Sequence, residues 1–354
     1  MSATASKTQE DTLEEQAIQL GMDDGFYNTK IAGPNGTLFC IPSRVRTGPS
    51  RVIGMAGNSP EISEFRVGDV TYSAGEVSGE STMFDEYPVS NLNRVMSHHS
   101  LHAAGFGGKR VKLASGLPIR LYYKGLNGEV NEQLIEKKIN NLQGDIELLS
   151  AAPSYGGNTK PVDIIEHNVC PEGQIAWYHF VIEEKVGGQV HISKGLHSIP
   201  MGFIDIGGRT TSLSVVEGGQ VDLERSGSIN AGMLDVRKQV GGRLINEFDL
   251  ADASDNMIDS ALNTGTVLIY GKSIRVSKSV NEAKASVLEH IRDEAKRIFG
   301  LGNELAEIKL FGGAYRDFQQ QLEEAPLFKR QEVADNPLYV NAIAMYKLMR
   351  YVSK

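Results

Sequence analysis

One carboxylate, Asp205, ends a short apolar run and is followed at once by Gly207 and Gly208. The segment 201–226 continues with Thr210, Thr211 and Ser212 opening a second β-rich run, and Gly218-Gly219 turns the chain into a third. Glycine pairs between β-forming runs signal hairpins, because glycine supplies the positive φ those turns need. Backbone N–H groups at such a turn, joined by hydroxyls, can surround a phosphate, and a carboxylate beside them can hold a divalent cation.

A second element of the same design lies near the start, over 21–43. Asp23 and Asp24 precede Gly25, a mixed run reaches Lys30, and Pro34-Asn35-Gly36 turns the chain into the β-formers of 37–41. Two phosphate-gripping hairpins, one in each half, imply a nucleotide held between two related domains. The chemistry expected there is phosphoryl transfer, which depends on positioning and charge neutralisation more than on covalent catalysis.

The elements that must position these residues follow from the remaining pattern. At 354 residues the chain can build two domains with substantial cores. A net charge of −8 argues against a basic nucleic-acid surface. Two cysteines, Cys40 and Cys170, suit a reducing cytoplasm and read as buried small hydrophobes. No apolar run approaches a membrane span, and the polar, acidic stretch 2–19 is unlike a signal peptide, so a cytoplasmic protein with a flexible tail is expected.

Helical spacing predicts helices over 92–104, 130–141, 174–183, 232–248, 279–299 and 337–352, the fifth being the clearest amphipath. Strands are expected over 111–117, 162–169 and 307–311, and a small sheet with loops within 47–88. Lys137 and Lys138 read as a solvated helix face, Trp177 and Tyr178 as core. His98 and His102 stand at i, i+4, but without a neighbouring Glu or Cys they read as a structural helix rather than a zinc site.

The ordered set of motifs resembles the actin/Hsp70/sugar-kinase superfamily, and within it the ParM/StbA group of bacterial actin-like plasmid segregation ATPases. Asp23-Asp24-Gly25 with Asn28 and Lys30, Asp205-Ile-Gly-Gly-Arg-Thr-Thr and Leu310-Phe-Gly-Gly-Ala314 are similar to its two phosphate loops and its adenosine loop. Val95-Met-Ser-His98-His99, Ser115-Gly-Leu-Pro118, Tyr122-Tyr123, Ile135-Glu-Lys-Lys138 and Val169-Cys-Pro-Glu172 continue the resemblance over almost the whole chain.

The resemblance implies an α/β, actin-like ATPase fold: two related domains with ribonuclease H-like cores around a nucleotide cleft. Residues 1–19 would be a tail, 20–200 domain I, 201–336 domain II, and 337–354 a C-terminal helix packing back on domain I. Glu172 would position the attacking water, and Asp23 and Asp205 would serve catalysis and hold Mg²⁺, mostly through water. Asp24, Gly25, Phe26, Tyr27, Asn28, Lys30, Gly207, Gly208, Arg209, Thr210, Gly232, Gly312, Gly313 and Ala314 would bind ATP or GTP. The implied function is a nucleotide-dependent filament that segregates plasmid DNA. Its partners would be further copies of itself and a ParR-like DNA-binding adaptor on a centromere-like site, with no direct nucleic-acid or membrane binding.

Four positions depart from the group's pattern. Phe26 and Tyr27 stand where small hydroxyl residues are usual, Ser212 where aspartate is frequent, and Phe311 where glycine is expected. A small-molecule kinase of the same superfamily, of sugar or acetate type, is the alternative. An Hsp70-like chaperone ATPase and a non-hydrolysing scaffold are further readings.

Overall fold

The computed structural model describes residues 17–50, 59–80, 82, 84–125, 128–184 and 190–352. Two five-stranded sheets carry the molecule, and they share one topology. In the first the spatial order is Leu38–Pro42, Asn28–Ala32, Ile18–Asp24, Arg110–Leu117, Asp163–Pro171. In the second it is Gln220–Ile229, Thr211–Glu217, Met201–Ile206, Glu307–Phe311, Gln331–Val333. Each begins with three antiparallel strands joined by tight turns, then adds two strands parallel to the first. Parallel strands need long crossovers, which is why helices and insertions fall where they do.

The central strand Met201–Ile206 is buried along its whole length, as a strand covered on both faces must be. Helices Met233–Phe248 and Ser277–Phe299 bury Val236, Val240, Leu244, Val287 and Ile291 against this sheet. The crossover also contains helix Asp255–Thr264 and hairpin Thr266–Arg275, neither of which the sequence pattern disclosed. In the first half, Leu20, Met22, Ile31, Val111 and Leu113 form the core with Leu101 from helix Asn91–Ala103. A four-stranded sheet of Val45–Thr47, Ile62–Val67, Val70–Gly75 and Glu147–Ser150 stands beside it.

Several expectations need correction. The first strand begins at Ile18, inside the stretch read as tail; residues 1–16 of that stretch lie outside the described residues. The helix expected over 174–183 is only Ala176–Val181, and Ile182–Glu184 turns into a short strand. The last helical segment divides into a 3₁₀ turn Pro337–Tyr339, an α-helix Val340–Lys347 and a π turn Leu348–Val352. Cys40 is exposed, because it lies on the edge strand of the first sheet; Cys170 is buried and its thiol is pushed up to about 12 by burial.

The C-terminal helix packs on the first sheet so closely that a Cβ at Gly21 would lie 2.0 Å from the Ala342 carbonyl oxygen. It also ties back to the second half, since Pro337 O accepts from Gly312 N at 2.9 Å. His98, His99 and His102 are buried on the Asn91–Ala103 helix. His98 Nε2 is 3.0 Å from Leu142 O, and His99 Nδ1 is 2.7 Å from the Tyr155 hydroxyl. Burial lowers all three imidazoles to about 4, so they are neutral packing groups at neutral pH.

Candidate functional site

Five strand ends converge on one interdomain corner, the place where open α/β sheets expose their carboxyl edges. Ile18–Asp24 delivers Asp23 and Asp24; Arg110–Leu117 delivers Gly116 and then Pro118; Asp163–Pro171 is followed by Glu172. From the second sheet come Asp205 with Gly207 and Gly208 behind it, and Gly313 just past Glu307–Phe311. Asp23, Asp24, Gly25, Phe26, Lys30, Glu172, Asp205, Gly207, Gly208, Thr210 and Gly313 line this single cavity together.

Successive strand residues point to opposite faces, so the two adjacent aspartates do different work. Asp23 pairs across the hairpin with Lys30, whose Nζ lies 3.2 Å from its carboxylate. Burial alone would depress the Lys30 ammonium, but Asp23 and Asp205 outweigh it and its pKa is raised. Lys30 therefore joins the halves: its Nζ would lie 2.7 Å from a Cβ placed on Gly313. Asp24 turns the other way, onto Lys138 Nζ at 2.7 and 3.0 Å and Asn93 Nδ2 at 2.8 Å.

Lys138 is thus no solvated helix residue. It is 1 % exposed, also donates to Gly116 O at 2.6 Å, and lines the corner. The signal was present in the spacing, since Lys138 falls on the inward stripe of helix Glu132–Leu142 with Ile135 and Leu142. Asn341 was missed as well. Its Nδ2 donates to Asp205 Oδ2 at 2.6 Å, and its only sequence signal is being the one amide in the otherwise apolar start of helix Val340–Lys347.

Electrostatically the corner is poised. Burial, then the nearby Asp23, push the Asp205 carboxyl up to about 7, although Asn341 and Lys30 favour its charged form. Burial, Asp23 and Asp205 likewise raise Glu172 well above the ordinary carboxylate range, and Lys138 opposes them. Glu172 lies over Gly116, where a Cβ would be 2.7 Å from its Cγ and from Oε1. Its backbone N–H is fixed on Leu117 O at 2.8 Å.

The glycines leave no room for side chains. A Cβ on Gly25 would meet Asn28 O at 2.8 Å, and one on Gly207 would meet Thr210 O at 2.8 Å. Gly312, at φ +122°, sits behind Asp205 rather than on the cavity wall, while Ala314 is buried with its N–H on Ile206 O. Gly232 backs the Gly207-Gly208 turn, and the first N–H groups of helix Met233–Phe248 donate to those carbonyls at 3.3 and 2.8 Å. Arg209 bonds Asp85 at 2.8 Å and lies over the Phe26 ring at 5.4 Å. Tyr27 and Asn28 line a wider part of the cleft outside the corner, opposite Arg237, Lys238, Gly241 and Gly242.

These residues fit a nucleotide and a divalent cation. Two carboxylates from different domains share the corner at a cost that a cation between them relieves. Arg209 is 8 % exposed, and among the described residues its Nη1 has no partner, as an anion-binding group requires.

Two family models match successive parts of the chain. "Actin like proteins N terminal domain" covers residues 21–174, and "Archaeal actin homologue MreB-like, C-terminal" covers 203–324. The chain belongs to the actin-like proteins. Solved structures agree on the fold. A non-polymerisable quadruple mutant of the pCBH ParM superimposes with a TM-score of 0.70 at 16% identity, over 94% of this chain and 99% of that one. An archaeal actin homologue in complex with ADP gives 0.67 at 16%, over 94% and 99%. A ParM from Clostridium botulinum, solved as a 15-stranded filament, gives 0.68 at 15%, over 94% and 98%. No curated protein matches the sequence. These neighbours do not favour the kinase reading of this actin-like chain. No helix among the described residues is long and apolar enough to cross a membrane.

Proposed function

We propose that this actin-like protein binds and hydrolyses ATP and assembles into filaments that segregate plasmid DNA. The observation that supports this most is the meeting of Asp23, Glu172 and Asp205, from two domains, on one enclosed corner. Glu172, with its raised proton affinity, is the base that takes a proton from water attacking the terminal phosphate. Lys30 and Arg209 neutralise phosphate charge, and amides of the Gly25 and Gly207-Gly208 turns supply the anion nest. Asp23 and Asp205 would hold Mg²⁺, mainly through its water shell, and the ion would supply further charge neutralisation. Gly313 would lie beneath the nucleoside. ATP is proposed over GTP on the likeness to the ParM group.

Filaments follow from head-to-tail contacts between identical subunits, which do not close. The neighbour solved as a filament supports self-association. With a net charge of −8, the chain reaches DNA through a basic adaptor of ParR type rather than directly. Pelleting and phosphate release with ATP and Mg²⁺ test the reading. Glu172→Gln should still bind nucleotide, lose about 100-fold or more in hydrolysis, and form longer-lived filaments. Absence of assembly at every concentration, or unchanged phosphate release in the variant, would overturn it.

A further inference from the structure

Phe26 and Tyr27 lie at the boundary between two spaces of the cleft. The carboxylate corner is narrow, and the cleft beyond it is much the wider of the two. Phe26 lines both, and is therefore the partition between them. Its ring is held by Tyr87 at 5.3 Å and by the Arg209 guanidinium at 5.4 Å, and its carbonyl accepts from Thr82 Oγ1 at 2.7 Å.

Tyr27 continues the wall across the domain gap. A Cβ on Gly208 would lie 2.3 Å from Tyr27 Cβ, so the two phosphate turns touch here. The ring packs against the core of the second half, and its hydroxyl lies near enough to Asp317, Arg237 and Asp259 for their charges to act on it. Arg237 in turn binds Asp255 at 3.1 Å and Asp259, and Asp259 also takes Arg44 from the opposite lobe. A guanidinium thus lies over the Phe26 ring and another neighbours the Tyr27 hydroxyl, and both are of the kind that prefers phosphate.

We propose that Phe26 and Tyr27 form a closed gate between the wide cleft and the carboxylate corner, opened when a nucleoside triphosphate draws Arg209 and Arg237 away from the rings. Arg209 Nη1, buried and without a partner among the described residues, is left to pair with a phosphate once the rings have moved. This rests on the nucleotide reading above and adds that the chain's own side chains compete with the ligand. The group's small residues at these positions would leave such a passage open; here it is shut by default.

Two weak restraints of this kind favour a closed state by roughly ten to a hundred to one, and apparent affinity falls by the open fraction. The test is Mg·ATP titration by calorimetry, with stopped-flow association of a fluorescent ATP analogue, on wild type, Tyr27→Ser, Phe26→Ser and Tyr27→Phe. The serine variants should bind about tenfold or more tightly, mainly through faster association, and Tyr27→Phe should fall between. Melting curves confirm that each variant is folded, and Tyr27→Phe, which removes only a hydroxyl, carries the test should a serine variant not fold. Equal rates and affinities across the set sink the gate while leaving nucleotide binding intact. Weaker binding by Tyr27→Ser also sinks it, since the ring would then be a stacking platform. If neither wild type nor the variants bind, the gate and the nucleotide reading fail together.

Discussion

Replacing Asp205 by Asn probes the energetics of the corner most directly. The folded carboxyl is pushed up to about 7 from its ordinary 3.8, by burial first and Asp23 second. Such a gap between folded and unfolded states corresponds to about 4 kcal/mol. The sign is that of a raised group: the folded protein holds this proton more tightly than the unfolded chain. Its contribution is complete below about pH 4 and is lost as pH rises through 7. Asn keeps the shape and can still accept from Asn341, but carries no charge. Asp205→Asn should therefore gain on wild type by about 3 kcal/mol between pH 5 and pH 8. Urea denaturation at unit pH steps measures the difference. Mg²⁺ with ADP should stabilise wild type at pH 8 more than the variant, because the cation is expected to bind the charged pair. If the two pH profiles stay parallel, Asp205 is not held against ionisation and the account of the corner is wrong.

Two further predictions concern burial. Lys138→Met leaves Asp24 charged and buried with Asn93 as its one remaining side-chain partner among the described residues, and should cost about 3–5 kcal/mol; the double variant with Asp24→Asn should recover much of it, and additive losses in urea would refute the pairing. A thiol reagent should label one cysteine per native chain, Cys40, and both in denaturant; rapid native labelling of Cys170 would contradict its buried environment.

Much of the frame was readable because it is local. The glycine pair after Asp205 and the single Gly25 after Asp24 report tight turns, and the amphipathic stripe ending at Phe299 reports a helix regardless of what it packs on. Glu172 was legible through Pro171-Glu172-Gly173, where a strand stops. The helix Ala176–Val181 was overextended because an apolar run of that length has no period to separate helix from strand.

Local residue spacing is enough to specify the duplicated hairpins, the carboxylates at strand ends and the main helices, since each depends on a few neighbouring residues. Long-range packing was needed to turn Lys138 inward onto Asp24, to bring Asn341 to Asp205 from a distant part of the chain, and to set Phe26 between the corner and the wider cleft. The two side-chain pairings span 114 and 136 residues, and charge burial at such distances is set by packing, which local periodicity does not encode.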